Sequence, residues 1–312
     1  MLMTGILPIN KPLGIRSTQC VEIVKHICGR DVKVGHGGTL DSTASGVLVL
    51  LLGQATRLSD FIVSMPKRYE VEVQFGSETS TDDASGEITI EKEWSGLSNA
   101  VIDEVSASFF GWQMQIPPQV SAVHVDGKRA HRLSRGGSTV DIKAKPVFFL
   151  RTTRNCDISE DGRVAFTVDC RKGTYIRSFA RDIGRKLGSA AHVSKLHRKS
   201  AGIFTDERCH KFDEIAAMNA GNIKEILYPI SSLCSSAASY NVAEKNYDLL
   251  KNGQSLPLYM LPRENFAIFS SSNNCVILSS DKIFSICALT RKAETFMAAP
   301  KVNVIASEGV SK

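Results

Sequence analysis

Residues 35–48 read Gly35-His36-Gly37-Gly38-Thr39-Leu40-Asp41-Ser42-Thr43-Ala44-Ser45-Gly46-Val47-Leu48. One carboxylate, Asp41, lies between a glycine-rich approach and a small-residue exit. Glycine permits tight turns and close approach of a ligand to the backbone. The apolar run 47–52 follows at once, long enough for a buried strand and too short to cross a membrane. The pattern places Asp41 on a loop at the mouth of a packed sheet, where loops tend to carry function. Taken alone, an aspartate in such a loop is more often a turn residue or a helix cap.

The 312 residues allow one large domain and a small one. A hydrophobic content of 43% and a charged content of 22% fit a soluble globular protein. The net charge of +6 tilts the expectation towards polyanionic partners without establishing one. None of the eight cysteines forms a C-x-x-C, and the seven histidines do not join them at zinc spacings. Reduced, buried cysteines in a cytoplasmic protein are expected, with no metal and no other cofactor. The first residues show no basic region leading into a long apolar core, so no signal peptide or membrane span is expected.

Along the chain, Ser17 reads as the cap of a helix with Cys20, Val21, Val24, Ile27 and Cys28 on its apolar face and Gly29 at its end. Residues 55–62 read as a short helix before Pro66. Tyr69, Val71, Val73 and Phe75 alternate with polar residues, the pattern of a half-buried strand. Ser98 reads as the cap of a helix over Val101, Ile102, Val105 and Phe109, closed by Gly111. Residues 147–156 and 163–170 read as a hairpin around Asp161-Gly162. Residues 175–187 read as a helix bearing Arg177, Arg181 and Arg185 on one side, either a solvated stripe or a phosphate-facing edge. Residues 231–239 are small and polar, a candidate linker. A short helix (242–250) and strands at 266–269, 276–278 and 283–288 follow it.

The loop around Asp41 is not a phosphate-binding P-loop, because no G-x-x-x-x-G-K-[ST] exists. It does not complete a dinucleotide fingerprint. His36-Gly37-Gly38 has the look of an oxyanion loop, but no G-x-S-x-G accompanies it. Asp82-Asp83, on a polar stretch, reads as a pair of solvated turn residues.

Five segments together carry more. They are Asn10-Lys11-Pro12-Leu13-Gly14, the Asp41 loop, Lys67-Arg68-Tyr69, Lys172-Gly173-Thr174-Tyr175-Ile176-Arg177, and a block with Pro117-Pro118, Ser121-Ala122 and Gly127-Lys128-Arg129. Their order and spacing closely resemble the TruB family of tRNA pseudouridine synthases, over about residues 5–204 and more weakly beyond. The family converts the uridine at position 55, in the tRNA T-loop, to pseudouridine. The resemblance implies an α+β (mixed α/β) pseudouridine synthase fold, a central mixed, largely antiparallel sheet with flanking helices. It also implies a catalytic domain over 1–230 and a small β-rich, PUA-like RNA-binding module over 240–312.

The resemblance implies residue roles as well. Asp41 matches the nucleophile, and a carboxylate needs no activating base at neutral pH. Arg177 matches the arginine that pairs with it, a guanidinium being suited to fix a carboxylate. Tyr69 matches the aromatic residue that packs on the target base and assists late proton transfer. Tyr175 and Leu196 match pocket-lining residues, and His36 a histidine that contacts the rearranged T-loop. Read singly, Tyr69 and Leu196 are simply core residues, and Tyr175 could pack its helix on the sheet. Two basic clusters, Lys128, Arg129, Arg132 and Arg135, and Lys195, His197, Arg198 and Lys199, become phosphate contacts to the T-loop and T-stem. The sequence departs from the family at Ser42, where a proline is usual, and at His124 and His131. A monomeric enzyme is expected. Two other readings compete: an RNA-binding or tRNA-folding protein without essential turnover, and a synthase acting on another RNA.

Overall fold

The computed structural model describes residues 3–120, 142–260 and 275–305, and the backbone of 124–125 and 128–129. The chain opens with strand β1 (Gly5–Lys11), helix α1 (Ser17–Cys28), the short β2 (Val34–His36) and β3 (Ser45–Leu52). A 3-10 turn at Gly53–Leu58 runs into α2 (Ser59–Ser64) and then β4 (Lys67–Phe75). A ribbon of β5 (Ser77–Thr79) and β6 (Ile88–Glu91) leads to α3 (Asn99–Ala107) and β7 (Gly111–Gln115). A minimal pair, β8 (His124–Val125) and β9 (Lys128–Arg129), precedes the hairpin of β10 (Lys145–Arg154) and β11 (Arg163–Cys170). Helix α4 (Ile176–Lys186), β12 (Ala191–Ala201), β13 (Phe204–Thr205) and β14 (His210–Lys211) follow.

Ten of these strands make one mixed sheet in the order β14-β1-β3-β12-β4-β11-β10-β7, with β2 beside β3 and β13 beside β12. Only β1/β14 and β3/β12 pair in parallel; the other pairings are antiparallel, as the family resemblance implied. The β3/β12 contact is short, His197 with Ser45 and Arg198 with Gly46. β3 begins at Ser45, a short turn beyond Asp41, and meets β12 at this end. Every residue from 47 to 52 is fully buried. Each such side chain contributes roughly 1.5–3 kcal/mol, so β3 is a rigid base for the loop that precedes it.

Several local expectations are refined. Helix α1 is entered through Arg16, whose backbone N–H and Nε both donate to the Gln19 side-chain oxygen, at 3.0 and 3.1 Å. Ser17 lies inside the helix. Its hydroxyl donates to the Leu40 carbonyl (2.7 Å) and accepts from the Leu40 N–H (2.9 Å), tying α1 to the Asp41 loop. Ser98 caps α3 as expected. Val101 is exposed, because the helix ends at Ala107 and turns only Ile102 fully inward.

The serine-rich stretch is not a tether. Ile230–Ser236 forms a 3-10 helix with Leu233 fully buried, and Ala238 opens β15 (Ala238–Asn241). A second, five-stranded sheet joins β15, β16 (Leu256–Pro257), β17 (Cys275–Ser279), β18 (Ile283–Lys292) and β19 (Thr295–Ile305). Ile277, Phe284 and Ile286 of this sheet share one core with Leu233 and with Val47, Val49 and Leu51 of β3. Apolar burial outweighs the loop-like composition of 231–239. The helix expected at 242–250 is a 3-10 turn at Glu244–Asn246 followed by Tyr247–Lys251. The strand expected at 266–269 falls outside the described residues. No helix among the described residues is long and apolar enough to cross a membrane.

Candidate active site

The Asp41 loop is held from four sides. Ser17 fixes Leu40, as described above. The Gly14 N–H donates to the Ser42 carbonyl (2.8 Å), docking the 12–15 turn on the loop. That turn is braced by the fully buried Lys11, whose ammonium donates to the Pro12 and Ile15 carbonyls at 2.9 and 2.8 Å. The Ala44 N–H reaches the Asp41 carbonyl at 3.2 Å, so the turn closes with Ser42 in the place of proline. Arg198 clamps the loop from below. Its guanidinium, 2% exposed, donates to the Val47 (2.6 Å), Thr39 (3.1 Å) and Gly38 (3.2 Å) carbonyls. Gly46 makes that approach possible. Its φ is +107°, and a Cβ there would stand 2.3 Å from the Arg198 carbonyl oxygen.

The loop, β4, the turn 171–175, α4 and β12 together enclose a cavity of about 260 Å³. Asp41, Tyr69, Tyr175, Arg177 and Leu196 all line it, which brings five of the six expected site residues together. His36 is not among the lining residues; it lies on β2, beside β3. Lys67, Arg171, Lys172 and Arg198 complete the polar wall, and Asp41 is the lone carboxylate of the lining. The cavity is small and cationic, suited to one planar ring with phosphate at its rim.

Arg177 is 6% exposed along its side chain and Asp41 43%. Arg177 Nε lies 2.9 Å from Asp41 Oδ2, but its N–H is not aimed at that oxygen, so the pair is Coulombic rather than a well-formed hydrogen bond. The other guanidinium nitrogens donate to the Thr81 (2.9 Å) and Val120 (3.0 Å) carbonyls. This anchoring leaves Asp41 the mobile member of the pair. Gln115, itself buried, exchanges two hydrogen bonds with the Tyr175 backbone and fixes the entry to α4.

Asp82 and Asp83 are buried, against the expectation of solvated turn residues. Asp83 accepts from Thr43 (3.0 Å) on the Asp41 loop, from Thr81 (2.7 Å) and from Ser85, and lies 4.0 Å from Arg177 Nε. Burial pushes its carboxyl up. The hydrogen bonds from Ser85 and Thr81, with the Arg177 charge, outweigh this and leave it below the usual value. Asp82, at φ +59°, is paired with Arg181 at 2.8 Å. Burial, only partly offset by Arg181 and Arg177, pushes its carboxyl up to about 6.

In the stripe on α4, Arg177 and Arg181 are buried, while Arg185 stays half exposed. Arg177 meets Asp41 and Asp83, Arg181 meets Asp82, and Arg185 meets Glu78 at 2.6 Å. Residues four apart on a helix face the same way, and here they face an acidic turn that the strand pairing places alongside. Of the cluster at 195–199, only Arg198 is buried away from an RNA phosphate. Lys195 pairs with Glu72, while His197 and Lys199 pair with Asp206. Arg198 is a buried clamp. The side chains of Lys128, Arg129, Arg132 and Arg135, and of His124 and His131, fall outside the described residues.

Sequence reasoning gave no role at the site to Lys67 and other roles to Asp83 and Arg198, a turn residue and a phosphate contact. Arg198 was within reach, since it is two residues from Leu196 on a strand and so faces the same side. Lys67 is 6% exposed and donates to the Ile62, Val63 and Met65 carbonyls at 3.1, 2.5 and 2.7 Å. Burial and then the Arg198 charge bring its ammonium down to about 8. Tyr69 is 9% exposed, and burial raises its phenol, keeping the hydroxyl protonated. Burial first, and then the Arg198 charge, lower the His36 imidazole below its usual value, and its buried Nδ1 has no hydrogen-bond partner among the described residues.

Residues 25–176 match the TruB family pseudouridylate synthase (N terminal domain) profile, and residues 177–234 the tRNA pseudouridylate synthase B C-terminal domain profile. The tRNA pseudouridine synthase B of Halalkalibacterium halodurans is 38% identical over 86% of this chain and 90% of its own. The protein of that name from Anaplasma marginale is 41% identical over 81% and 83%. Among solved structures, the chain superposes on one from a Cbf5-Nop10-Gar1 complex with a TM-score of 0.70 at 21% identity, over 97% of this chain and 85% of that one. It also superposes on one from an H/ACA RNP bound to a substrate RNA containing 2'-deoxyuridine, with a TM-score of 0.67 at 18% identity, over 99% and 87%. At those identities the structural likeness speaks to the fold.

Proposed function

The chain belongs to the TruB family of pseudouridylate synthases, and from that premise we propose that it isomerises a uridine of the tRNA T-loop, at position 55, to pseudouridine. The observation that carries the reading is Asp41: a half-exposed carboxylate in a small cationic cavity, 2.9 Å from a buried arginine that is itself anchored to backbone.

A uridine inside a folded loop hides both its glycosidic bond and C5, so it must leave the stack, at a cost of roughly a few kcal/mol. The ring of Tyr69 in the cavity returns about 1–3 kcal/mol by stacking. Asp41 then acts, at the sugar C1′ or by assisting glycal formation, and the uracil leaves with the electron pair of the broken C1′–N1 bond. Leu196 and Tyr175 confine the free base while it turns to present C5. The new C1′–C5 bond forms, and loss of the C5 proton, relayed by the Tyr69 hydroxyl, restores the aromatic ring. Arg177, fixed to backbone carbonyls, supplies the positive charge that faces the Asp41 carboxylate.

His36 contacts the rearranged T-loop as a neutral imidazole. Residues 1–230 carry the chemistry, and the β-rich module over 240–312 adds RNA-binding surface. The working form in this reading is a monomer in the cytoplasm. The test is to incubate the protein and Asp41→Ala with an unmodified tRNA transcript and map pseudouridine at each uridine. Wild type is expected to modify the T-loop uridine and the variant none. No product from wild type, or equal product from the variant, would overturn the reading.

A further inference from the structure

Strand β7 is one outer edge of the ten-stranded sheet. Two of its alternate side chains are large, apolar and exposed, Trp112 by 71% and Met114 by 67%. Scattered exposed leucines need no explanation, but a tryptophan left this open marks a surface with a use. Trp112 pairs in register with Phe148 of β10, and their rings meet edge to face at 5.2 Å and 82°. The Arg171 guanidinium lies 5.7 Å from the centre of the Phe148 ring.

Trp112, Phe148 and Arg171 line a cleft of about 740 Å³ between the first sheet and the second, which contributes Ile286 and Lys301. Arg171 and Lys172 line this cleft and also the Asp41 cavity, so the two adjoin. Three cations and no carboxylate face the cleft. Aromatic rings interleaved with cations make a surface for unpaired nucleotides, because every base has a face that stacks and every linkage a charge to neutralise. A second copy of this chain fits poorly, since each copy carries a net charge of +6.

We propose that this cleft is a second nucleotide subsite, in which an unpaired base flanking the target uridine stacks on Trp112 while its phosphates meet Arg171, Lys172 and Lys301. The proposal rests on the tRNA reading above. The subsite holds the RNA strand on the far side of the 171–175 turn while the target base occupies the Asp41 cavity.

The test uses the full chain, unmodified tRNA transcript, and the variants Trp112→Ala and Trp112→Phe. Trp112 is on the surface, so neither substitution threatens folding; matched melting temperatures verify this. Loss of one stacked base is expected to raise Kd and KM for tRNA about ten-fold in Trp112→Ala, with Trp112→Phe recovering most of the loss. The chain has two tryptophans. The emission lost between wild type and Trp112→Phe therefore isolates Trp112, and saturating tRNA should quench it. Unchanged tRNA affinity in Trp112→Ala, or no quenching of the Trp112 component, would overturn the subsite. Concentration-dependent self-association of wild type that Trp112→Ala abolishes would also overturn it, by assigning the face to a second copy. Failure of the tRNA reading would look different: wild type would form no pseudouridine at all, whatever the state of Trp112.

Discussion

Arg177 Nε lies 2.9 Å from Asp41 Oδ2, with the arginine buried and the aspartate half exposed. The guanidinium is immobilised by the Thr81 and Val120 carbonyls, so Asp41 can shift towards a sugar without its counter-ion following. Asp41→Ala is expected to lower turnover by at least about a thousand-fold, as loss of a nucleophile does. Binding of tRNA should persist, because Asp41 is an anion in a cationic cavity and its removal leaves phosphate attraction intact. Single-turnover assays and filter binding on the same samples measure both.

Arg177→Lys keeps the charge and loses the planar fork. An ammonium cannot hold the two carbonyls while facing Asp41 and Asp83. The single-turnover rate constant should fall about a hundred-fold or more, and the midpoint of thermal unfolding should drop as buried acceptors lose their partner. A rate close to wild type would remove the anchoring role from the guanidinium.

Asp82 makes stability depend on pH in an unusual direction for a carboxylate. Its pKa rises from the ordinary 3.8 to about 6 on folding. Between those values the folded chain holds the proton more tightly than the unfolded chain. Its stabilising contribution is full below about pH 4 and is lost as pH rises through about 6. Wild type should therefore gain about 1–3 kcal/mol on Asp82→Asn between pH 7 and pH 4. Urea unfolding of both proteins at the two pH values measures the difference, and a constant gap between them would contradict the shift.

Gly46→Ala should destabilise the protein by about 1–3 kcal/mol, since a side chain at φ +107° is strained. The new Cβ must also push β3 from the Arg198 backbone, so the Asp41 loop should loosen. Chemical denaturation and hydrogen exchange at the 38–46 amides provide the two readouts.

His36→Ala should act on RNA rather than on chemistry. Removing an imidazole whose Nδ1 has no partner among the described residues costs none of their hydrogen bonds at that atom. A rise in KM for tRNA of about ten-fold is expected, with unfolding unchanged. A loss in the single-turnover rate at saturating tRNA instead would place His36 in the reaction.

Much of the site was legible in the chain because its segments are short, local and ordered. The glycine loop, the alternation from Tyr69 to Phe75 and the Ser98 cap each depend on neighbours within a few residues, and each has the expected form. What was missed depends on distant partners. Asp82 and Asp83 read as turn residues because their polarity was visible and their arginines, on a helix about a hundred residues later, were not. Arg198 read as a phosphate contact because nothing local shows that three carbonyls of the Asp41 loop surround it. The 231–239 stretch read as a linker because one buried leucine, Leu233, decides its state and its eight small neighbours do not.

The sequence by itself determined the local conformations, the identity of the loop and the set of side chains able to meet there, because turn chemistry and hydrophobic period act over a few residues. The tertiary structure decided which charges are spent inside the protein and which remain for a ligand. Ion pairing requires atoms to lie within about 4 Å, and only the folded sheet brings β12 and α4 against the loops before them. That is why Arg177 and Arg181 became internal counter-ions and Asp41 was left half exposed.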